Sequence, residues 1–370
     1  MIDTDIGLHK SALDTPALLL DLDAFERNLA RMQHMLAGTG VTLRPHVKAH
    51  KATPDIAHRQ LQAGGVGVTC AKLAEAEVMA AAGIRDILIA NQIVGPRKIA
   101  RLMQLARQAD VIVAVDNADN VAELAYAAQA HGVTLRVLVE VNIGHNRCGV
   151  EPGAPALTLA RQVHAASGLV FAGIMGYDGH LTLKIDPRER EPLAHKAAAL
   201  LVEVRRCIEE AGLPVSIVSA SGTFTFPYVA QHTGITEIQA GTYALMDTVF
   251  QAHGVAEFEL TLSLLGTVTS RHARAGQPDL ALMDIGRKSV DIFFGLPTAK
   301  SPGGVSVVSL SQEHGRLHLE DQARALKIGD RVELWVPDAN GTINLYDHIH
   351  AMRGDVVEAV WPVTGRGMST

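Results

Sequence analysis

The chain of 370 residues is 48% hydrophobic and 4% aromatic, and its 33 basic and 39 acidic residues leave a formal net charge of −6. The charges are scattered rather than clustered, which excludes the basic footprint of a nucleic-acid binder or a membrane-surface protein and leaves small molecules as the expected partners. The three cysteines, Cys70, Cys148 and Cys207, are too few and too irregular for a disulfide framework or a zinc ribbon.

In chain order, "PALLLDL" reads as a strand, and "DAFERNLARMQHMLAG" as an amphipathic helix behind it. From residue 43 onward, short β-branched runs alternate with Ala- and Leu-rich stretches that end in Gly, the rhythm of repeated βα units. Eight strands are predicted, at 43–48, 66–71, 86–91, 110–115, 135–141, 169–177, 215–221 and 236–243. Eight such units have the size of an α/β fold closed as a (β/α)8 TIM-like barrel. A doubly wound open sheet is the alternative, but the early glycine fingerprint it calls for is missing. After about residue 252 the pattern changes to short alternating strands between Gly, Pro and Asp turns, which predicts a second, all-β domain. The N-terminal strand belongs most naturally in that domain's sheet, giving a barrel over 23–250 and a discontinuous β domain of 1–22 plus 251–370. The opening residues lack the basic and apolar blocks of a secretory signal, and no run reaches the roughly 20 apolar residues of a membrane span, so a cytoplasmic protein is expected.

Barrel enzymes build their sites at the C-terminal ends of the strands, and "LRPHVKAHK" puts Lys48 at the end of the first. An amine that loses hydration there becomes available to condense with an aldehyde. Read without chemistry, His46, Lys48, His50 and Lys51 form a polar turn facing water. "SASGTFTF" and "QAGTYALMD", after the seventh and eighth strands, each set Gly beside Ser or Thr, exposing backbone N–H groups and hydroxyls to an anion. These loops offer Ser221, Gly222 and Thr223, and Gly241, Thr242 and Tyr243. An amine facing two phosphate loops points to pyridoxal 5'-phosphate. In "EVNIGHNRCGV", Arg147 is placed either to face the cofactor's pyridine nitrogen or to pair with Glu140. "GYDGH" aims Tyr177, Asp178 and His180 at the same mouth, with Tyr177 as a cofactor contact and His180 as a general-base candidate.

The segments "TPALLLDLDAFERNL", "LRPHVKAHK", "VDNADN", "VEVNIGHNRCGV", "EIQAGTYALMD", "SQEHG" and "TINLYDHIHAMRGD" resemble the D-threonine aldolase and D-serine dehydratase family over nearly the full length. The resemblance implies a fold-type III pyridoxal-phosphate enzyme with an alanine-racemase-like barrel and a β domain, and a homodimer. It also implies that Lys48 carries the cofactor, that Arg147 lies by its ring, that Tyr177 lines the pocket and that the two Gly-Thr loops hold its phosphate. Members of the family look as though they bind a divalent metal through a His-x-Asp or His-x-Cys pair. The corresponding window here, "VPDANGTINLYD", is one residue shorter and has neither His nor Cys. Asp338 and Asn340 are hard oxygen donors at that spacing, and His348 and His350 follow on a predicted strand, so whether a metal is held stays open. The expected activity is cleavage of β-hydroxy-D-amino acids to glycine and an aldehyde. In it, His180 or the β-domain His314 takes the hydroxyl proton. Dehydration of D-serine or D-3-hydroxyaspartate, racemisation, and a non-catalytic cofactor carrier are the competing readings, the carrier ranking last because it would leave the β domain without a use.

Overall fold

Strands that are apolar on both faces need cover on both, and the β-branched runs of the first 240 residues receive it. The computed structural model describes residues 2–182, 186–271 and 279–370. The chain divides into two units, a β-rich one of Met1–Arg31, Ala49–Thr53 and Thr242–Gly367 and an α/β one of Met32–Lys48, Pro54–Gly241 and Met368–Thr370. Strand β1 (Ala17–Asp21) belongs to the first.

The α/β unit holds eight parallel strands: β2 (Thr42–Leu43), β3 (Val68–Cys70), β4 (Asp86–Gln92), β5 (Asp110–Val115), β6 (Leu135–Glu140), β7 (Leu169–Gly176), β8 (Ile217–Ala220) and β9 (Glu237–Ile238). The ladder runs β2-β9-β8-β7-β6-β5-β4-β3. It closes beyond the short β2, where His46 bridges Thr69 in parallel and the Thr69 amide donates to the Pro45 carbonyl at 2.9 Å. Leu88, Ile112, Ala114, Leu138, Ala172, Met175 and Ile217 form one buried cluster, while Ile87, Ile89, Val111 and Val113, at the alternate positions, are also buried. Between the strands run helices with the expected punctuation. In Ala118–His131, Asn117 caps the first turn through Asp119 N and Asn120 N, and Gly132 ends it in the left-handed region. Gly173 is needed where β7 shifts register, since at φ +144° a Cβ there would sit 1.9 Å from the Ile217 carbonyl oxygen.

Two predicted strands are much shorter than expected. Pro45 has no N–H, so the first strand is bonded through Arg44 and His46 but registers only as Thr42–Leu43, and Val47–His50 turns into a 3-10 helix carrying Lys48. Lys48 therefore follows the strand end rather than occupying it. The eighth predicted strand stops at Ile238, and Thr242–Ala244 is again 3-10.

The β-rich unit is built from β1 with β10 (Leu262–Ser270), β11 (Leu280–Met283), β12 (Thr298–Ser301), β13 (Val305–Leu310), β14 (Gly315–Leu319), β15 (Arg331–Trp335), β16 (His348–Arg353) and β17 (Val356–Pro362). β1 sits inside this sheet, antiparallel to β10 and parallel to β16, and Leu13, Ala17, Leu19, Leu265, Met352 and Val357 pack beside it. Buried Glu333 on β15 accepts from Lys10 Nζ at 2.9 Å and Ser263 Oγ at 2.6 Å and pairs with Lys300 Nζ at 2.8 Å, which ties the N-terminal segment to the sheet.

Where the barrel closes, buried Arg44 donates from Nε to both oxygens of Glu237 at 3.1 Å and from Nη1 to Asp86 at 2.6 Å, joining β2 to β9 and β4. Removing the cation leaves the carboxylate of Glu237 buried and uncompensated. Arg44→Leu is expected to destabilise the protein by about 3–5 kcal/mol, read from the midpoint of urea unfolding. A loss below about 1 kcal/mol would show that closure does not depend on this cation.

Candidate active site

The turn after β2 is not a solvated one. Arg44, His46 and His50 are 3%, 7% and 0% exposed, and Lys48 is half-buried. The histidines shape the backbone here. His46 Nδ1 accepts from Lys48 N at 3.4 Å, His50 Nδ1 accepts from Thr53 N at 3.0 Å, and Thr53 Oγ1 donates to the His50 carbonyl at 2.6 Å. Lys51 and Ala52 then pass through the left-handed region at φ 53° and 49°.

Tyr177, the residue after β7, is the centre of the α/β unit's polar cluster. Lys48 Nζ lies 5.4 Å from its ring centroid and Arg147 Cζ 5.0 Å, so two cations face one phenol. His145 meets the same ring edge-on at 5.6 Å and stacks on His180 at 5.9 Å. Desolvation lowers the pKa of His145, helped by Arg147 and His180, and desolvation alone lowers that of His180, so both imidazoles are neutral proton acceptors near neutral pH. Burial of Tyr177, with the Asp178 charge beside it, raises the phenol and keeps it protonated. The sequence points to His180 but not to His145, although "NIGHNRCGV" displays it.

Arg147 does not form the ion pair with Glu140 that its sequence position allows. Glu140 accepts instead from Gln92 Nε2 at 2.5 Å, its acidity weakened by burial despite Gln92 and Arg147. Asp116, Glu140 and Cys148 bring ligand atoms within 4.8 Å of one another, the one such group among the described residues. Arg147 lies beside this group, bonding Cys148 and acting on Glu140.

On the seventh loop, Ser221 adopts φ 69°, a conformation that costs a non-glycine residue on the order of 1–3 kcal/mol. The Gly222 carbonyl accepts from Thr225 N at 3.2 Å and Phe226 N at 3.1 Å. A Cβ built on Gly222 would touch only Tyr177 Cε2, at 3.7 Å, so the loop opens onto free space beside the phenol. Two buried atoms nearby, Asp178 Oδ2 and His180 Nδ1, have no hydrogen-bond partner among the described residues. Burial, against a bond from Thr225, raises Asp178 from 3.8 to about 6. The folded state thus holds this proton more tightly than the unfolded one. The stability it confers is full below about pH 4 and is lost as pH rises through about 6.

The remaining predicted residues lie in or at the edge of the β-rich unit. Gly241 ends the α/β unit in sequence, and Thr242 and Tyr243 begin a stretch in which Tyr243 packs edge-on against Phe258 at 5.6 Å. His314 is exposed in the turn between β13 and β14. Asp338 caps the helix Ala339–Ile343 through Gly341 N at 3.1 Å, and Asp247, raised to about 7 by burial, accepts from Ala339 N at 3.1 Å. His350 is buried with Nε2 3.1 Å from Asp5, and its ring centroid lies 6.3 Å from that of His348. Asp338, His348 and His350 form no three-ligand group among the described residues.

Comparison with known proteins joins these two units to one family. The family described as Alanine racemase, N-terminal domain matches residues 20–249, and a Putative serine dehydratase domain matches 261–352. A D-threonine aldolase of Arthrobacter sp. is 39% identical over 96% of this chain and 94% of its own length. A 3-hydroxy-D-aspartate aldolase of Paracoccus denitrificans is 37% identical over 98% and 94%. The crystal structure of D-threonine aldolase from Filomicrobium marinum superposes with a TM-score of 0.93 at 39% identity, covering 99% of each chain. With Lys48, Arg147 and Tyr177 grouped in an alanine-racemase-like barrel, the chain belongs to the D-threonine aldolase and D-serine dehydratase-like family of pyridoxal-phosphate enzymes.

Proposed function

We propose that this chain is a lyase that uses pyridoxal 5'-phosphate to split β-hydroxy-D-amino acids into glycine and an aldehyde. The observation that carries the reading is the convergence of the Lys48 amine and the Arg147 guanidinium on Tyr177, beside the open turn at Gly222. The residues fit the cofactor. Lys48 would supply the amine for its aldehyde, Ser221, Gly222 and Thr223 would take its phosphate, and Arg147 would face its ring. When bound, the cofactor delocalises the negative charge left on Cα as the bond to Cβ breaks.

The chain's own groups do the rest. His180, neutral and with a buried Nδ1 that has no partner among the described residues, accepts the β-hydroxyl proton. The freed O–H electrons form the carbonyl as the Cα–Cβ pair withdraws to Cα, and Cα then takes up a proton to leave glycine. His145 stacks against it and fixes its ring. Tyr177 keeps its proton and supports the cofactor's ring. His314, on an exposed turn, lacks the desolvated setting that tunes a base. The donor set around Asp338 does not fit the family's metal pair, and no step here is routed through an ion. The serine-dehydratase-type match over 261–352 favours elimination to a keto acid and ammonia as the second reading. Three free thiols suit a reducing cytoplasm, and a homodimer is the assembly expected.

Borohydride treatment of the purified enzyme is expected to add the reduced cofactor's mass to the peptide bearing Lys48, with or without chelator, and Lys48→Ala to abolish the visible absorbance. An unmodified peptide would defeat the reading. D-threonine and D-3-hydroxyaspartate are expected to give glycine and aldehyde, whereas a keto acid with ammonia would select the dehydratase. His180→Gln is expected to lower kcat by roughly 100-fold or more. In the unaltered enzyme, activity is expected to fall as the pH drops through a value below the ordinary imidazole pKa, where the base takes up a proton. An acid limb unchanged in His180→Gln would assign the base elsewhere.

A further inference from the structure

We propose that Asp178 is a positioning residue that acts through Thr225 to hold the Ser221–Gly222 turn in the shape that receives the cofactor's phosphate. The inference rests on the functional reading above and adds to it a group that the reaction itself leaves unused.

Asp178 is 2% exposed and follows Tyr177 after β7, whereas Ser221 and Thr225 belong to the loop after β8. One carboxylate oxygen accepts from the Thr225 hydroxyl. The Thr225 oxygen is 2.7 Å from Ser221 Oγ. An ionised carboxylate has no proton to give, so the Thr225 hydroxyl donates to Asp178, and the Ser221 hydroxyl, which also donates to the Gly222 carbonyl at 3.2 Å, is held against the Thr225 oxygen.

This chain of bonds meets the backbone at the one residue of the loop held at positive φ, Ser221. A left-handed residue turns successive amides toward a common point, the arrangement that binds anions. The Gly222 carbonyl is turned away to Thr225 N and Phe226 N, and the Gly222 amide donates to no acceptor among the described residues. Thr225 makes no side-chain cap at the start of the helix Phe226–Val229, the usual task of a threonine at that position. Its hydroxyl is committed to the two side chains instead. The result is a Gly222 amide open to an anion beside a left-handed Ser221 that is linked through Thr225 to a buried acid.

The test compares pyridoxal 5'-phosphate with pyridoxal, which lacks only the phosphate, binding to the full-length protein after its cofactor has been removed. Absorbance titration gives both affinities, and far-UV circular dichroism checks the fold. Thr225→Val and Asp178→Ala are each expected to weaken the phosphate ester ten-fold or more and to change pyridoxal less than two-fold. The double variant is expected to lose no more than the weaker single, because the two groups act in series. Asp178→Asn keeps an acceptor oxygen and Thr225→Ser keeps the hydroxyl, so both are expected to retain most of the affinity; they also stand in if the harsher variants fail to fold. Equal losses for the two ligands, multiplying losses in the double variant, or no loss at all would overturn the inference. If the unaltered protein binds both ligands equally, the phosphate reading of this loop fails instead.

Discussion

Two positive charges against one phenol ring set the terms for the α/β unit. Each cation gains on the order of 0.5–2 kcal/mol from the ring face, depending on how far it is desolvated. Both are drawn to the same side chain, so their mutual repulsion works against that gain. Glu140 attracts Arg147 while its hydrogen bond goes to Gln92, and Asp178 bonds Thr225. A bound anion with an electrophilic carbon relieves the repulsion directly, since the amine is consumed in forming a bond and the phosphate brings negative charge. An amine and a guanidinium gathered on one aromatic ring suit a cofactor better than a structural salt bridge.

Such a site weakens the fold that carries it. A left-handed serine, a buried acid whose ionisation is unfavourable and two unpartnered polar atoms all sit within one group of loops. They persist because the surrounding strands are over-determined. An apolar cluster runs from β4 to β8, and Arg44 binds the short first strand to two others. Stability therefore comes from the strands, and the loops at their C-terminal ends are free to hold strain.

The repeating units, the switch to β structure and the position of Lys48 are legible in the sequence because each has a local signature: period, turn residues and charge at a strand end. The strands β5, β6 and β7 fall within a residue of their predicted bounds for that reason. The hidden features depend on long-range pairing. The proline in "LRPHVK" already forbids a full strand, yet only the ladder reveals that the chain is bonded through Arg44 and His46 and that Lys48 rides a 3-10 turn. His145 reads like any loop histidine until His180, on a distant loop, is found stacked on it. Gln92 carries no signal at all, since its role is to occupy an acid from another strand.

The shortened window at Pro337 shows the same dependence on partners. A His-x-Asp pair projects two side chains from one short segment, and deleting a residue rotates the side chains beyond it. In this chain the segment becomes the helix Ala339–Ile343, and a helix start needs side-chain acceptors for its free amides. Asp338 and Asp247 supply them, at Gly341 N and Ala339 N. Their repulsion is eased because burial favours the neutral form of both acids, with Asp247 raised to about 7. One of the two oxygen donors that spacing offered to a cation, Asp338, is committed to a backbone amide. In the proposed reading, hydroxyl deprotonation falls to an imidazole kept neutral by burial, and the α/β unit holds such a pair in His145 and His180.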